Sequence, residues 1–432
     1  MRAMKDSGIE WIGEIPQDWD RTKLLNVLRV PISDGPHETP SLVNSGIPFI
    51  SVDSVGNSEN VDLSVCKKFI SEEDYINYSK KTKIELGDIL FTKAATIGKT
   101  AIVRDEIFMV WSPIAIIKTD NEIVHNKYIY YVLSCSEFIN HVSLLGSCNT
   151  QINVGMRELE RAMIPLPSKD KQKSIAAYLG SKCSQIDSII EKQQVVIEKL
   201  KEYKLSIITE AVTKGLDPNV EMKDSGIEWI GKIPAHWEVL KVARIANVVR
   251  GSSPRPAGDP KYFNGNDFPW ITVAEVTKGD GKYVYKTDTY LTNEGAMQSR
   301  IVEADTLLLS NSGATLGVPK VTLIRGCIND GSVAFYDLKI DKMFLLYVFK
   351  SLTLELRKQM AGYGQPNLNT DIIKSIFIPK ATIDEQEKIV SYLDEKCIDI
   401  DLTITKKSLI VDKLIEYKKS LIYEVVTGKK EV

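Results

Sequence analysis

Histidine is scarce in this chain, and nothing is arranged around it. His37, His125, His141 and His236 stand far from one another and from the cysteines, so no zinc-ligand spacing is present. The cysteines are Cys66, Cys135, Cys148, Cys183, Cys327 and Cys397, and none forms a Cys-x-x-Cys. Scattered through a long chain, they read as the reduced thiols of a cytoplasmic protein rather than a disulfide frame. No run approaches the roughly 18 apolar residues of a membrane helix, and the N-terminal MRAMKDSG lacks the apolar core of a signal peptide. An excess of basic charge is also missing: the net charge is −2, which argues against a free-standing nucleic-acid binder.

Signatures of chemistry are missing too. Thr96-Ile-Gly98-Lys99-Thr100 looks like the end of a phosphate-binding loop, but the glycine that loop requires is replaced by Lys93. A turn between strands, with Lys99 available to a phosphate, is the better reading. There is no Asn-Pro-Pro-aromatic or Asp-Pro-Pro-aromatic methyltransferase motif and no Gly-x-Gly-x-x-Gly. Glu72-Glu73-Asp74 reads as the charged start of a helix rather than a metal site. No catalytic residue, metal or cofactor is predicted.

What the chain has is repetition. The decapeptide MKDSGIEWIG of Met4–Gly13 recurs unchanged at Met222–Gly231, and Ile15, Pro16 and Trp19 recur as Ile233, Pro234 and Trp237. A second stretch, Lys171–Lys214, aligns without a gap with Glu385–Gly428, matching Tyr178/Tyr392, Leu179/Leu393, Cys183/Cys397, Asp187/Asp401 and Tyr203/Tyr417. The chain is a duplicated unit. Each half reads as a short arm (1–21, 216–239), a middle domain (22–167, 240–382) and a long helix (168–215, 383–432). The middles keep only a framework: Gly46-Ile-Pro-Phe-Ile faces Asp267-Phe-Pro-Trp-Ile, and Gln151-Ile-Asn-Val faces Gln365-Pro-Asn-Leu. Their charge differs as well. Residues 239–382 hold 18 basic against 13 acidic side chains, and residues 21–168 hold 15 against 17. Two related domains diverge in this way when each must read something different.

Apolar side chains step by three or four through 170–213, including Leu179, Ile186, Leu200 and Tyr203, and again through Leu393, Ile400, Leu414 and Tyr417. No proline interrupts either segment; Ser168 and Asp170 are candidate caps and Gly215 a stop. About 44 residues at about 1.5 Å each would span about 65 Å. Such helices either fold back on their own domains or, the favoured reading, pair antiparallel as a ruler between the middle domains. The middles alternate short β-type runs (Pro48-Phe-Ile-Ser-Val, Asp88-Ile-Leu-Phe-Thr, Ile114-Ala-Ile-Ile, Trp270-Ile-Thr-Val, Thr306-Leu-Leu-Leu-Ser) with helical stretches at Lys127–His141 and Lys342–Met360. The predicted fold is α/β (α+β): two domains with mixed sheets, separated by two long antiparallel helices, with a pseudo-two-fold internal duplication. Trp11, Trp19, Trp229 and Trp237 could stack on DNA. Anchoring each arm against a helix or domain core is the better reading, because both copies are alike.

The duplicated arm, the Gln-x-Asn segment, the Ile-Pro turn and the helix pattern, with Glu385-Gln386, Tyr392-Leu-Asp and Lys413-Leu-x-Glu-Tyr-Lys in the second copy, resemble the specificity subunit of type I restriction–modification systems. The first copy departs mildly, with Lys171-Gln172 where the family prefers Glu-Gln. The resemblance implies a non-catalytic subunit whose two target-recognition domains each read half of a split, asymmetric double-stranded DNA sequence. It implies helices that dock two modification (methyltransferase) subunits, onto which two restriction–translocation subunits assemble. Methylation, ATP use and cleavage would belong to those partners.

Base reading needs side chains with paired donors and acceptors on groove-entering loops. In the second domain the candidates are Ser253, Arg255, Lys261 and Tyr262, then Asn311, Ser312 and Thr315, then Tyr363 and Gln365. By repeat position the first domain offers Ser33, His37, Glu38 and Thr39, then Thr92, Lys93, Thr96 and Lys99, then Asn149, Gln151 and Asn153. Partner docking is assigned to Leu179, Ile186, Leu200, Tyr203, Leu393, Ile400, Leu414 and Tyr417. A structural adaptor with two similar protein-binding domains is the alternative, and sequence-selective DNA retention would separate the two.

Overall fold

The computed structural model describes residues 2–432 except 39, 57, 105–106, 149–151, 280, 314 and 361–366, and leaves out the side chains of 147, 148, 152, 359 and 360. The chain divides into two compact units, and the division does not follow the sequence halves. One unit is Met1–Gln194 with Leu409–Val432; the other is Val195–Ser408. Each unit therefore holds one arm, one middle domain and a stretch of both long helices.

In the first unit the arm is a hairpin of Met4–Asp6 with Glu14–Pro16. Asp20–Lys23 pairs with Met163–Leu166, closing the middle domain at its two ends. Between them lies a four-stranded sheet in the order Ser33–Asp34, Ile114–Ile117, Ile89–Thr92, Thr100–Ile102, and a three-stranded sheet in which Ile47–Ile50 runs antiparallel to Phe69–Ile70 and parallel to Met109–Val110. The second unit repeats this plan with Met222–Asp224 and Lys232–Pro234, then Glu238–Lys241 and Phe377–Lys380. Its sheets are larger: a five-stranded one around Thr306–Ser310 and a four-stranded one around Phe263–Ile271. Both mix parallel and antiparallel pairs. The apolar runs Ile89–Thr92, Ile114–Ile117 and Thr306–Ser310 are buried along their whole length, as central strands covered on both faces should be.

The long helices run over Lys169–Lys214 and Ile383–Val426. Within each unit their stretches are antiparallel. In the first, Lys171 reaches the Val432 carbonyl while Asp187 meets Lys418 at 2.7 Å. In the second, the Gly215 end lies against Trp237, whose indole N–H meets Glu385 near the start of the other helix. Ser168 caps the Lys171 N–H at 3.4 Å, and Gly215 ends the first helix at a φ of 75°. The expected single helix at Lys127–His141 is two, Asn126–Leu133 and Ser136–Leu144. Cys135 is extended there, and the Ser134 hydroxyl turns back to the Tyr130 carbonyl at 2.7 Å. Its counterpart Lys342–Met360 is continuous.

Each arm is wedged between the start of one long helix and the end of the other. Ile12, Ile15 and Trp19 share a core with Leu179, Cys183, Leu421 and Val425; Ile230, Ile233 and Trp237 share one with Ile208, Val212, Ile389 and Leu393. Trp11, Trp19 and Trp237 are buried and Trp229 is half-buried, so these indoles anchor the arms, and the three buried ones offer no face to a base. Cys183 and Cys397 are buried in the helix seam.

Candidate nucleic-acid interface

The central strand of each middle domain ends in the same device. The Thr92 hydroxyl donates to the Thr96 carbonyl and accepts the Lys99 N–H at 2.9 Å. The Ser310 hydroxyl donates to the Thr315 carbonyl at 2.7 Å and accepts the Val318 N–H at 2.9 Å. Gly98 and Gly317 complete the two turns with positive φ of 92° and 84°, where a side chain would be strained. The hydroxyl thus reinforces a backbone closure in which the Gly98 and Gly317 N–H groups donate to the Thr92 and Ser310 carbonyls at 2.9 and 2.8 Å. The next residue in each strand, Lys93 or Asn311, links to the third candidate loop, since its carbonyl accepts the N–H of Val154 or Leu368. Isolated bridges Ala94↔Asn153 and Ser312↔Asn367 extend that link.

The first candidate loop leaves its strand at Gly35 or Gly251. A Cβ there would stand 1.9 Å from the Val110 carbonyl oxygen or 2.1 Å from that of Asn329, so only glycine fits. In the first domain this loop is tied to the second, because the Lys93 ammonium meets Asp34 at 3.2 Å with both side chains 9% exposed, and His37 reaches the same carboxylate at 3.3 Å. In the second domain Asn311 is fully buried and its side-chain amide meets no hydrogen-bonding partner among the described residues. Ser253 donates to Asp330 at 2.5 Å and Arg255 lies 3.7 Å from it. Ser253, Arg255, Phe263, Trp270 and Asn329 line a pocket of about 400 Å³.

The named side chains differ in availability. His37, Glu38, Thr96, Asn153, Arg255, Lys261 and Thr315 are exposed; Ser33, Lys99, Ser253, Tyr262 and Ser312 are half-buried. Lys99 is committed within its domain, donating to the Val52 carbonyl at 3.2 Å. Lys261 pairs with Glu294 at 3.1 Å, which raises its ammonium above the ordinary lysine value. Thr92, Lys93 and Asn311 are buried at the loop roots. Thr39, Asn149, Gln151, Tyr363 and Gln365 lie outside the described residues. Asp34 and Asp330 escaped the sequence reading, although each adjoins a turn glycine, Gly35 and Gly331.

The seam residues turn inward. Leu179, Ile186, Leu393 and Ile400 are buried by their own chain, and Leu200 and Leu414 are half-buried. Tyr203 and Tyr417 are exposed. So are Ile189, Leu409, Ile410 and Ile415 in the first unit, and Val195, Val196, Ile398 and Leu402 in the second. The helices thus carry a second apolar face that a single three-four stripe did not reveal.

Residues 16–204 and 234–410 each match the type I restriction modification DNA specificity domain. The chain belongs to that family. A putative type I restriction enzyme specificity subunit (MjaX) of Methanocaldococcus jannaschii is 25% identical over 430 residues, covering 97% of this chain and 95% of that protein. The MjaVIII specificity subunit of the same organism is 26% identical over 436 residues, covering 96% and 93%. Among solved structures, a chain from work on complex assembly and conformational transition of the type I R-M system superimposes with a TM-score of 0.72 at 15% identity, covering 95% of this chain and 98% of that one. The HsdS subunit of Thermoanaerobacter tengcongensis gives a TM-score of 0.50 at 16% identity, covering 96% and 98%. The subunit is a non-catalytic specificity component of a type I restriction–modification system. Among the described residues no group of three or more potential ligands could hold a metal, and no helix is long and apolar enough to cross a membrane.

Proposed function

We propose that this subunit reads a bipartite DNA target, with residues 22–167 and 240–382 each reading one half-site and residues 168–215 and 383–432 carrying the partner subunits. The observation that carries this reading is the loop cluster built twice on one plan with different side chains in the same places. A hydroxyl-stapled turn and a glycine exit are common to both domains, while Lys93 with Asp34 in the first faces Asn311 with Arg250 in the second. A shared scaffold under divergent polar loops is what two readers of unlike sequences require. The exposed His37, Thr96, Arg255 and Thr315 are the best placed for bases or phosphates.

Two methyltransferase subunits would dock on the outward apolar faces marked by Tyr203 and Tyr417, with two restriction–translocation subunits assembling on them. Exchanging residues 240–379 for the matching segment of a relative should change one half of the methylated motif and leave the other. Methylome sequencing reads the outcome, and a change in both halves or neither would sink the assignment. Within that domain, Arg255→Ala should cost about 1–3 kcal/mol of binding if the guanidinium makes a bidentate base contact. A smaller loss, uniform across sequences, would make it a phosphate contact.

A further inference from the structure

The two copies fasten their recognition domains to the long helices differently. In the second unit the Lys282 ammonium lies 2.7 Å from Asp394 Oδ1, and the Tyr347 hydroxyl donates to the same oxygen at 2.5 Å. Lys282 adjoins the edge strand Tyr283–Val284, Tyr347 lies on the domain's helix, and Asp394 lies on the long helix. Three elements therefore meet at one carboxylate. Its equivalent in the first unit can be placed residue by residue. The gapless helix alignment sets Gly180 at the place of Asp394. Tyr131 takes the place of Tyr347, since each follows by the same step the N–H bound by Gln172 or Gln386. Glu59 takes the place of Lys282. Its neighbour Asn60 pairs parallel with Ile102, opposite Ile89, just as Tyr283 pairs parallel with Val321, opposite Leu307.

At that place the first unit makes no such link among the described residues. Glu59 pairs with Lys127 at 2.7 Å and Arg104 at 3.0 Å, both in its own domain. Gly180 contributes no side chain, and a groove of about 810 Å³ opens among Tyr130, Tyr131, Gly180, Glu59 and Lys418. The first domain stays anchored near the helix start, where Gln172 accepts the His125 N–H at 2.8 Å. We propose that Lys282, Asp394 and Tyr347 are positioning residues that lock the second recognition domain to its helix, and that Gly180 leaves the first held there by the apolar packing of Tyr128, Ile129 and Tyr131 with Leu179 and Cys183 and without a polar lock, so that tolerance for half-site spacing resides in the first domain. This rests on the bipartite reading proposed above.

The geometry supplies its own converse. A Cβ on Gly180 would lie 3.1 Å from the Lys127 ammonium and 3.7 Å from the Tyr131 hydroxyl. A carboxylate introduced there would meet a lysine and a tyrosine, the two partners Asp394 has.

The test uses the full subunit assembled with its methyltransferase partners, on duplexes carrying both half-sites at the native spacing or one base pair longer or shorter, a shift of about 3.4 Å. Gly180→Asp should leave native-spacing methylation unchanged and cut methylation of the altered spacings about tenfold, the effect of roughly one charge-assisted hydrogen bond. Lys282→Met should raise methylation of the altered spacings by a similar factor, and Lys282→Arg should restore the wild-type profile. If Gly180→Asp does not fold, the two Lys282 variants decide alone. A bipartite motif that stands with spacing profiles unmoved in the folded variants overturns this inference by itself. Failure of the wild-type complex to methylate any bipartite sequence overturns the reading beneath it.

Discussion

The first turns of the two long helices look interchangeable and are not. Thr382 and Glu385 close a reciprocal cap, in which the Glu385 carboxylate accepts the Thr382 N–H at 3.1 Å and the Thr382 hydroxyl accepts the Glu385 N–H at 3.4 Å. The same carboxylate accepts the Trp237 indole N–H at 3.1 Å and pairs with His236 at 2.9 Å. In the other copy Lys171 cannot accept anything. It reaches instead to the Val432 carbonyl at 2.6 Å, and the buried Trp19 indole N–H finds no acceptor among the described residues. Two substitutions, Lys171 for Glu385 and Asp18 for His236, thus separate a corner gathered on one carboxylate from one in which Asp18 turns away to Arg2 and, among the described residues, the Trp19 donor is left unpaired. The apolar packing is shared at Ile15, Trp19, Ile233 and Trp237, so packing fixes where the arm goes, and the polar corner decides how firmly it is held.

That contrast can be broken at four depths. Leu179→Ala and Leu393→Ala, at matched fully buried sites, should each cost about 2–5 kcal/mol. Denaturant unfolding with hydrogen exchange resolved by unit should place each loss in its own unit; a loss spread over both would mean that the units are not separate cores. Next come the buried amides, which tie each helix start to its domain. Gln172 donates to the Pro167 carbonyl at 2.9 Å and Gln386 to the Ala381 carbonyl at 2.7 Å, while each accepts one N–H. Replacing either by Leu strands those groups and should cost about 1–3 kcal/mol, with equal losses in the two units if the corners differ only at Lys171 and Glu385 and at Asp18 and His236.

Glu385→Gln addresses the corner itself. Burial alone would raise the Glu385 carboxyl, but hydrogen bonds from Thr382, His236 and Trp237 outweigh it and hold it at about 2, against 4.5 for a free glutamate. A depressed carboxyl stabilises above the unfolded value, and its contribution fades as pH falls from about 4.5 toward 2. Wild type should therefore exceed Glu385→Gln in stability at pH 7, and the gap should close through that window. A gap independent of pH would assign the role to shape rather than charge. The smallest effect expected is a gain. Lys171→Glu gives Trp19 an acceptor and Ser168 a capping partner, and should stabilise the first unit by about 0.5–1.5 kcal/mol less the lost Val432 contact. A net loss, measured as a lower denaturant midpoint, would show that the first corner has adapted to its lysine.

Much of this architecture was readable because the duplication is literal. An exact decapeptide and a gapless helix alignment need no structure to be found, and runs such as Ile89-Leu-Phe-Thr can hardly be anything but central strands. The break at Ser134 was not readable, because no proline or glycine marks it within an otherwise apolar segment. Nor was the facing of the helices. A three-four stripe reports that Leu179 and Leu393 are covered, not whether the cover is another chain or their own. At the loops, Lys93 reads in sequence as one of the side chains available to DNA. In the fold it is buried against Asp34, an acid far along the chain that no local pattern connects to it. Gly180 says still less by itself, and its meaning comes from the aspartate that stands in its place in the other copy.

The division of the chain into units has a consequence for its synthesis. The second unit is one uninterrupted segment, 195–408, whereas the first needs residues 409–432 to complete it. Translation proceeds at about 5–20 residues per second, so roughly 215 residues separate the two parts of the first unit by some 10–40 s. The domain that is made first therefore finishes last. Throughout that interval Ile15, Trp19 and Leu179 wait for Leu421 and Val425, the side chains that will cover them.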